Sequence, residues 1–553
     1  MIQFSHTYET DIIVAGSGLA GLRATKDASA SGKRVMLLSK GKLCSGSSFY
    51  PLTGGLRAQL PQCEEDKEVY LKELIESGAG VAGKEHCKIL VDSITEEITR
   101  LPQIGIYPKS AYGRAACFAS SERRLEGWSG WDTIRDNVRS IFDTINNLEV
   151  VEYCEIARII VNNNQIVGVI AINRSEELIF ISAKAVILAT GGMSALYQHN
   201  LTTDDVCGIG HSLALDTGVP VVNLEFIQFI PGITSPVYKL IFGEIILRYV
   251  DTIKDEYGVE VLKEAFGDEK AYNTCLQERA MHGPFTCGDS SQYFDILMMK
   301  QFIKNPTSKG FALTCTKDLL EDTNPLVKEI PDLYKKHGID LAKDSITLLP
   351  FAHCNNGGVS INSDSSTVVE GLFAAGEVAG GVHGADRHGG GATAAALVFG
   401  AISASSAINY CDGTIRTEYD ITQIKKDFTR FIDADECSPL DASLVFDQLK
   451  KELFLCANVY RNKDSIEKSL NWIRITREQF SPLSALEQQR ESKIAMKVFH
   501  ALRTSEALLL SLLERKESRG PHYRSDYPEK DDRLEGKRVF VTERDGAFIP
   551  TLM

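Results

Sequence analysis

The chain has 553 residues, 43% hydrophobic and 24% charged, enough to bury sizeable cores in two to four domains. Its formal net charge of −14 argues against nucleic acid or an anionic membrane as the main partner. No apolar run is expected to span a membrane, because Glu244 and Arg248 interrupt the best candidate, LIFGEIILRYV. The N-terminus has no basic segment followed by a cleavable apolar core, so no signal peptide is read there. Thirteen cysteines occur without a CxxC pair, which fits reduced thiols in the cytoplasm. The same spacing argues against an iron–sulfur cluster or structural zinc on this chain, and no metal site is expected.

The first predicted unit is strand, glycine turn, helix, strand. Ile12–Ala15 reads as a buried strand, Leu19–Ala30 as a helix and Arg34–Leu38 as a second strand. Gly16, Gly18 and Gly21 between them fall on the GxGxxG spacing of a dinucleotide site. The first glycine permits the turn, the second lets a pyrophosphate approach, and the third lets helix and strand pack. The helix N-terminus supplies amide donors for phosphate. One feature departs from the fingerprint. The second strand ends in Ser39 and Lys40, where an acid for the ribose hydroxyls is usual, and this weakens an assignment to plain NAD.

From about residue 150 a β-rich block follows, with NNNQ as a turn, returning to a buried strand, Ala185–Ala189, and then Thr190-Gly191-Gly192. Residues 236–349 are mixed helix and loop, read as an insertion. The stretch from Gly376 to Gly400 crowds glycines around Arg387, flanked by His383 and His388. Beyond about Asp420 the chain is expected to be helical.

Six segments in order (GSGLAGLRA, LLSKG, AVILATGG, NLEFIQFIPG, GLFAAGEVAGGVHGADRHGGGATAAALVFG and ESRGPHYRSDYPEKDD) resemble the flavoprotein subunits of succinate dehydrogenase and fumarate reductase, together with L-aspartate oxidase. The resemblance covers nearly the whole chain. It implies an α/β fold, with a Rossmann-like FAD-binding domain in two parts (1–235 and 346–415), an inserted α+β capping domain (236–345) and a C-terminal helical domain (416–553). It implies FAD as cofactor, placed against Gly16, Gly18, Gly21, Ser39, Lys40, Ser47, Gly54, Gly55, Thr190, Gly191, Glu377, Gly391, Ala392 and Thr393. Glu377 is implied to bind a ribityl hydroxyl, and Arg387 and His353 a substrate carboxylate, for which the guanidinium fork is suited.

Three departures from the family pattern shape the expected function. CSGSSFYPLTGG contains no histidine to bond FAD, so the flavin is expected to be non-covalent. Ile230 stands where the dicarboxylate enzymes carry a histidine. Gly288 stands where they carry the arginine that delivers the proton, leaving Arg279 and His282 as stand-in acids. The expected function is an FAD-dependent oxidoreductase. It moves a hydride between flavin and an unsaturated, carboxylate-bearing organic acid other than fumarate. The alternatives are an amino-acid oxidase like L-aspartate oxidase, or an FAD subunit passing electrons to an iron–sulfur or ferredoxin-like partner.

Overall fold

A computed structural model describes residues 2–113, 118–322, 325–433 and 440–553. Four apolar residues, Ile12–Ala15, are buried on both faces, which places them inside a parallel sheet. They pair with Val35–Ser39 on one side and Ala185–Leu188 on the other. Leu148–Glu152 and Leu372–Ala374 complete five parallel strands. Two helices, Leu19–Ala30 and Gly391–Gly413, pack on each other beside this sheet.

The second of these helices corrects a sequence expectation. Gly391–Gly413 is long and apolar enough to cross a membrane, yet most of it is buried inside the protein. Ala, Val, Leu and Phe on every face suit a helix enclosed by protein as well as one enclosed by lipid.

The β-rich block is a hairpin of Glu155–Asn162 and Gln165–Ile172, extended by Leu178–Ser182 and joined in parallel by His6–Glu9. Asn163 and Asn164 at the turn have φ of 49° and 62°, the left-handed pair that tight hairpins need.

The insertion shares its sheet with the flavin domain. Ile227–Ser235 pairs antiparallel with Ile346–Asn355, and Phe311–Cys315 and Val250–Lys254 extend this pair outward. Helices Glu269–Arg279 and Gln292–Lys304 pack together on this unit. Its loop 285–287 is stitched back at three points. Phe285 N–H donates to Phe229 O at 2.7 Å, Thr286 Oγ1 to Asp386 Oδ2 at 2.6 Å, and Cys287 N–H to Gly520 O at 2.9 Å.

The C-terminal part is helical from Ile421–Ile432 to Ser492–Glu514, but not to its end. Val539–Arg544 and Ala547–Leu552 form a hairpin whose first strand pairs with Val221–Val222, so the tail completes a sheet of the flavin domain. Between Leu483–Gln488 and Ser492–Glu514 the helical run is broken, with Gln489 and Glu491 at φ of 52° and 60°.

The segment ESRGPHYRSD joins the two parts through buried charge. Arg515 Nε lies 2.7 Å from Glu225 Oε1 and Arg515 Nη1 2.8 Å from Glu517 Oε1, all three side chains fully buried. Glu517 also accepts from Arg519 at 2.8 Å, and Arg519 Nη1 donates to Ala79 O at 2.6 Å. Glu517→Ala leaves two buried guanidiniums short of their shared carboxylate. It should destabilise the protein by about 3–5 kcal/mol, read from denaturant unfolding.

Candidate active site

A cavity of about 540 Å³ opens at the carboxyl end of the parallel sheet. It begins where Ile12–Ala15 ends. Gly16 has φ of 113°, and a Cβ there would come 2.2 Å from Ala189 O, so only glycine fits. Gly18 lines the cavity at the N-terminus of Leu19–Ala30, whose free amides face a site suited to phosphate. Gly21 does not line it. A Cβ on Gly21 would lie 1.8 Å from Gly16 O, so this glycine serves the helix–turn contact instead.

Ser39, Lys40, Ser47, Gly54, Gly55, Thr190 and Gly191 all line the cavity. Ser39 Oγ is hydrogen-bonded to Ser17 Oγ at 2.7 Å. Lys40 Nζ sits 3.0 Å from Glu155 Oε2, and burial, which opposes its charge, is outweighed by Cys207 and Glu155. The Thr190 hydroxyl is buried without a protein partner.

Midway stands Glu377, on the turn Gly376–Val378, accepting the Asn355 N–H at 3.1 Å. Burial raises its pKa, opposed by Asn355, Cys354 and Arg387.

The far end holds Arg387 and His353 together. Arg387 Nε is buried with no hydrogen-bond partner, and Nη1 donates only a long bond, 3.4 Å, to His388 O. His353, on strand Ile346–Asn355, also has an unpartnered Nδ1. Burial, and then the Arg387 charge, hold its pKa down to about 3, so the ring is neutral at pH 7. His383 is held down to about 3 by the same two causes and does not line the cavity. Gly390, with φ of 78°, caps the helix Gly391–Gly413. Ala392 and Thr393 line the cavity from its first turn. Gly391 does not, and a Cβ on it would sit 3.4 Å from Arg387 Cγ.

The two stand-in acids are elsewhere. Arg279 is fully buried in the insertion, with Nε 2.6 Å from Asp295 Oδ2 and Nη1 donating to His282 O and Gly283 O. His282 spends its ring nitrogens on Pro284 O at 2.7 Å and Ser291 Oγ at 2.9 Å. Neither lines the cavity, because local partners turn both inward. Gly288 is exposed, with φ of 130° and open space where a Cβ would be. Ile230 is 4% exposed, paired across strands with Phe351.

Some residues were missed by sequence reasoning. Glu155, Asp205 and Cys354 line the cavity. Cys354 follows His353 directly and had a positional signal; Glu155 and Asp205 reach the cavity from distant parts of the chain and had none. His388 is buried, taking the Gln59 Nε2–H on Nδ1 at 2.9 Å, with Nε2 3.4 Å from Glu73 Oε2.

The donor set fits FAD: helix amides for a diphosphate, a carboxylate midway, and helix amides beside an unpaired guanidinium at the end. A family model described as "FAD binding domain" matches residues 11–393, and one described as "Fumarate reductase flavoprotein C-term" matches 447–547. The chain belongs to the fumarate reductase and succinate dehydrogenase flavoprotein family. It is an FAD-dependent oxidoreductase. An uncharacterized FAD-dependent oxidoreductase of Methanocaldococcus jannaschii is 28% identical over 96% of each chain. A fumarate reductase (CoM/CoB) subunit of Methanothermobacter marburgensis is 25% identical over 98% of each, and L-aspartate oxidase of Yersinia pestis 25% over 96% of this chain and 98% of that one. Among solved structures, a variant of Escherichia coli quinol fumarate reductase FrdA superposes with a TM-score of 0.80 at 22% identity, covering 99% of this chain and 97% of that one.

Asp386, next to Arg387, is 4% exposed. Burial, against the hydrogen bond from Thr286 and the charge of Arg387, pushes its pKa up to about 7 from an ordinary 3.8. The folded carboxyl therefore keeps its proton to higher pH than the unfolded one. Its contribution to stability is present below about pH 4 and is lost as pH rises through about 7. Asp386→Asn should flatten this dependence: the fall in melting temperature between about pH 5 and pH 8 should be smaller in the variant than in the parent.

Proposed function

We propose that the protein transfers a hydride between FAD and an unsaturated or saturated organic acid held by one carboxylate, and that fumarate is not its substrate. The observation that carries this reading is the pair at the end of the cavity, Arg387 with a buried unpartnered Nε and His353 with an unpartnered Nδ1. A buried polar group without a partner is costly, and a ligand that supplies the partner recovers that cost. An arginine fork takes a carboxylate through two parallel bonds. The neutral His353 ring adds a hydrogen bond without a second charge. Ile230, packed opposite Phe351, offers no polar grip for a second carboxylate.

Bound FAD supplies the hydride acceptor or donor. The chain supplies orientation and electrostatics. The helix amides at Ala392 and Thr393, with the positive end of the helix dipole, favour negative charge at the end of the cavity. The insertion lines the cavity through Ile241 and is tied to the Arg387 loop by the Thr286–Asp386 contact, which positions it to exclude water from this end. Electrons are exchanged with an iron–sulfur or ferredoxin-like partner, a reading supported by the Methanothermobacter marburgensis relative, whose name makes it one component of a larger enzyme.

Arg387→Ala should raise the apparent substrate constant about 100-fold while the flavin spectrum stays unchanged, since a charge-assisted bidentate contact is lost. Chemically reduced protein, mixed without oxygen with fumarate and with a panel of 2-enoic monocarboxylates, should be reoxidised rapidly only by a monocarboxylate. Rapid reoxidation by fumarate would overturn the substrate reading, and peroxide release on addition of an amino acid would replace it with an oxidase. The flavin is held without a covalent bond, a reading supported by Ser47, Ser48 and Phe49 filling the turn before Gly54, where Ser48 Oγ accepts the Leu19 N–H at 3.2 Å. Acid precipitation should therefore leave the polypeptide colourless and the flavin in the supernatant.

A further inference from the structure

The adenosine end of the cavity poses a separate problem. A dinucleotide fold needs an acceptor for the ribose diol at the carboxyl end of its second strand. That strand, Val35–Ser39, ends in a serine and runs into Lys40. Ser39 is already engaged, with Ser17 Oγ at 2.7 Å and Lys42 O at 3.2 Å. Lys40 has donors only.

A different part of the chain brings a carboxylate to this spot. Leu148–Glu152 runs parallel beside Val35–Ser39, so both end at the same edge of the sheet. The chain then turns at Tyr153, φ 59°, and Cys154 N–H donates to Ser39 O at 2.9 Å. That bond clips the start of the next strand, Glu155–Asn162, to the end of the second one. Glu155 is thereby set beside Lys40, with Oε2 3.0 Å from Nζ and its side chain 11% exposed.

Among the described residues, the carboxylates that line the cavity are Glu155, Asp205 and Glu377. Glu377 is bonded to Asn355 N–H and senses the charge of Arg387, at the opposite end. Asp205 also acts on Lys40 through its charge, from the loop whose Cys207 Sγ lies 3.7 Å from Lys40 Nζ, but among the described residues the carboxylate in ion-pair contact with Lys40 is Glu155. Of the three, Glu155 is the one paired with Lys40, the residue that follows the second strand.

We propose that Glu155, held in place by Lys40, accepts the ribose hydroxyls of the adenosine half of FAD. A carboxylate offers about four lone-pair sites, and Lys40 uses those on one side only. The diol is neutral and brings two O–H donors, which matches a free carboxylate oxygen. The Lys40 charge offsets that of Glu155, so the pair does not repel the neighbouring diphosphate. Glu155 and Lys40 form a positioned, charge-balanced pair rather than a bare acid on the strand. The inference is independent of the substrate reading, because it concerns only how the cofactor is held.

The test reads cofactor affinity, not turnover. Full-length protein stripped of flavin is titrated with FAD, with FAD lacking the 2′-hydroxyl of its adenosine ribose, and with FMN, following flavin fluorescence. The parent should bind FAD about tenfold more tightly than the deoxy analogue, the value of one charge-assisted hydrogen bond. Glu155→Ala should bind FAD at least about tenfold more weakly than the parent. It should lose the preference over the deoxy analogue and bind FMN, which has no adenosine, as the parent does. Equal binding of FAD and the deoxy analogue by the parent would overturn the proposal, and that comparison needs no variant. So would a Glu155→Ala protein that keeps the preference, or one that weakens FMN as much as FAD.

Discussion

Much of this structure follows from keeping one guanidinium charged, fixed and unspent inside a largely apolar cavity. Among the described residues, Arg387 has no carboxylate within ion-pair distance, and its Nε has no hydrogen-bond partner. Burial already disfavours charge on His353 and His383, and the Arg387 charge adds to it, so both rings are neutral. The guanidinium also needs a backbone that can hold it without surrounding it. Glycines at 389, 390 and 391 supply that backbone, and Gly390, with φ of 78°, takes the left-handed turn that starts the helix. The cost of an unsatisfied cation is set against the large buried core beneath it.

The same loop carries the contact that ties the insertion to the flavin domain. Asp386 points away from the cavity toward Thr286, while Arg387 points into it. Adjacent residues on one stretch of backbone thus serve the covering element and the ligand site. Any shift of loop 285–287 moves Asp386, and the peptide between the two residues passes the displacement to the guanidinium. The contact of Cys287 with Gly520 extends this link to the C-terminal part, where Arg515, Arg519 and Glu517 fix that segment against Glu225 and Ala79. The Arg387 loop, the insertion and the C-terminal segment are therefore linked by one chain of contacts.

Local chemistry was legible in the sequence and long-range placement was not. Gly16, Gly18 and Gly21 could be read because strand, turn and helix are contiguous, although only Gly21 answers a steric demand within the motif and Gly16 answers one from Ala189. The NNNQ turn was legible for the same reason. The helix Gly391–Gly413 has the length and apolar character of a membrane span that the sequence reading did not find in any run, and only the packing shows that protein encloses it. The tail hairpin was hidden because its pairing partner, Val221–Val222, lies more than half the chain away. Arg279 and His282 have the right functional groups, but spacing could not reveal that Asp295, Pro284 and Ser291 already occupy them. Glu155 reaches the cavity only through the clip between Cys154 and Ser39, a tertiary contact with no sequence signature.

The two ends of the cavity use charge in opposite ways, and the difference follows from what each must hold. At the adenosine end a lysine and a glutamate neutralise each other, and a paired charge attracts a neutral hydrogen-bonding group rather than an ion. At the other end the guanidinium is left unpaired, and an unpaired cation in a desolvated wall favours an anion strongly. Moving a carboxylate next to Arg387 would fill that end with an internal ion pair and leave a ligand carboxylate nothing to bind. The pairing of Lys40 with Glu155 at one end thus contrasts with Arg387 at the other, whose Nε is buried without a hydrogen-bond partner.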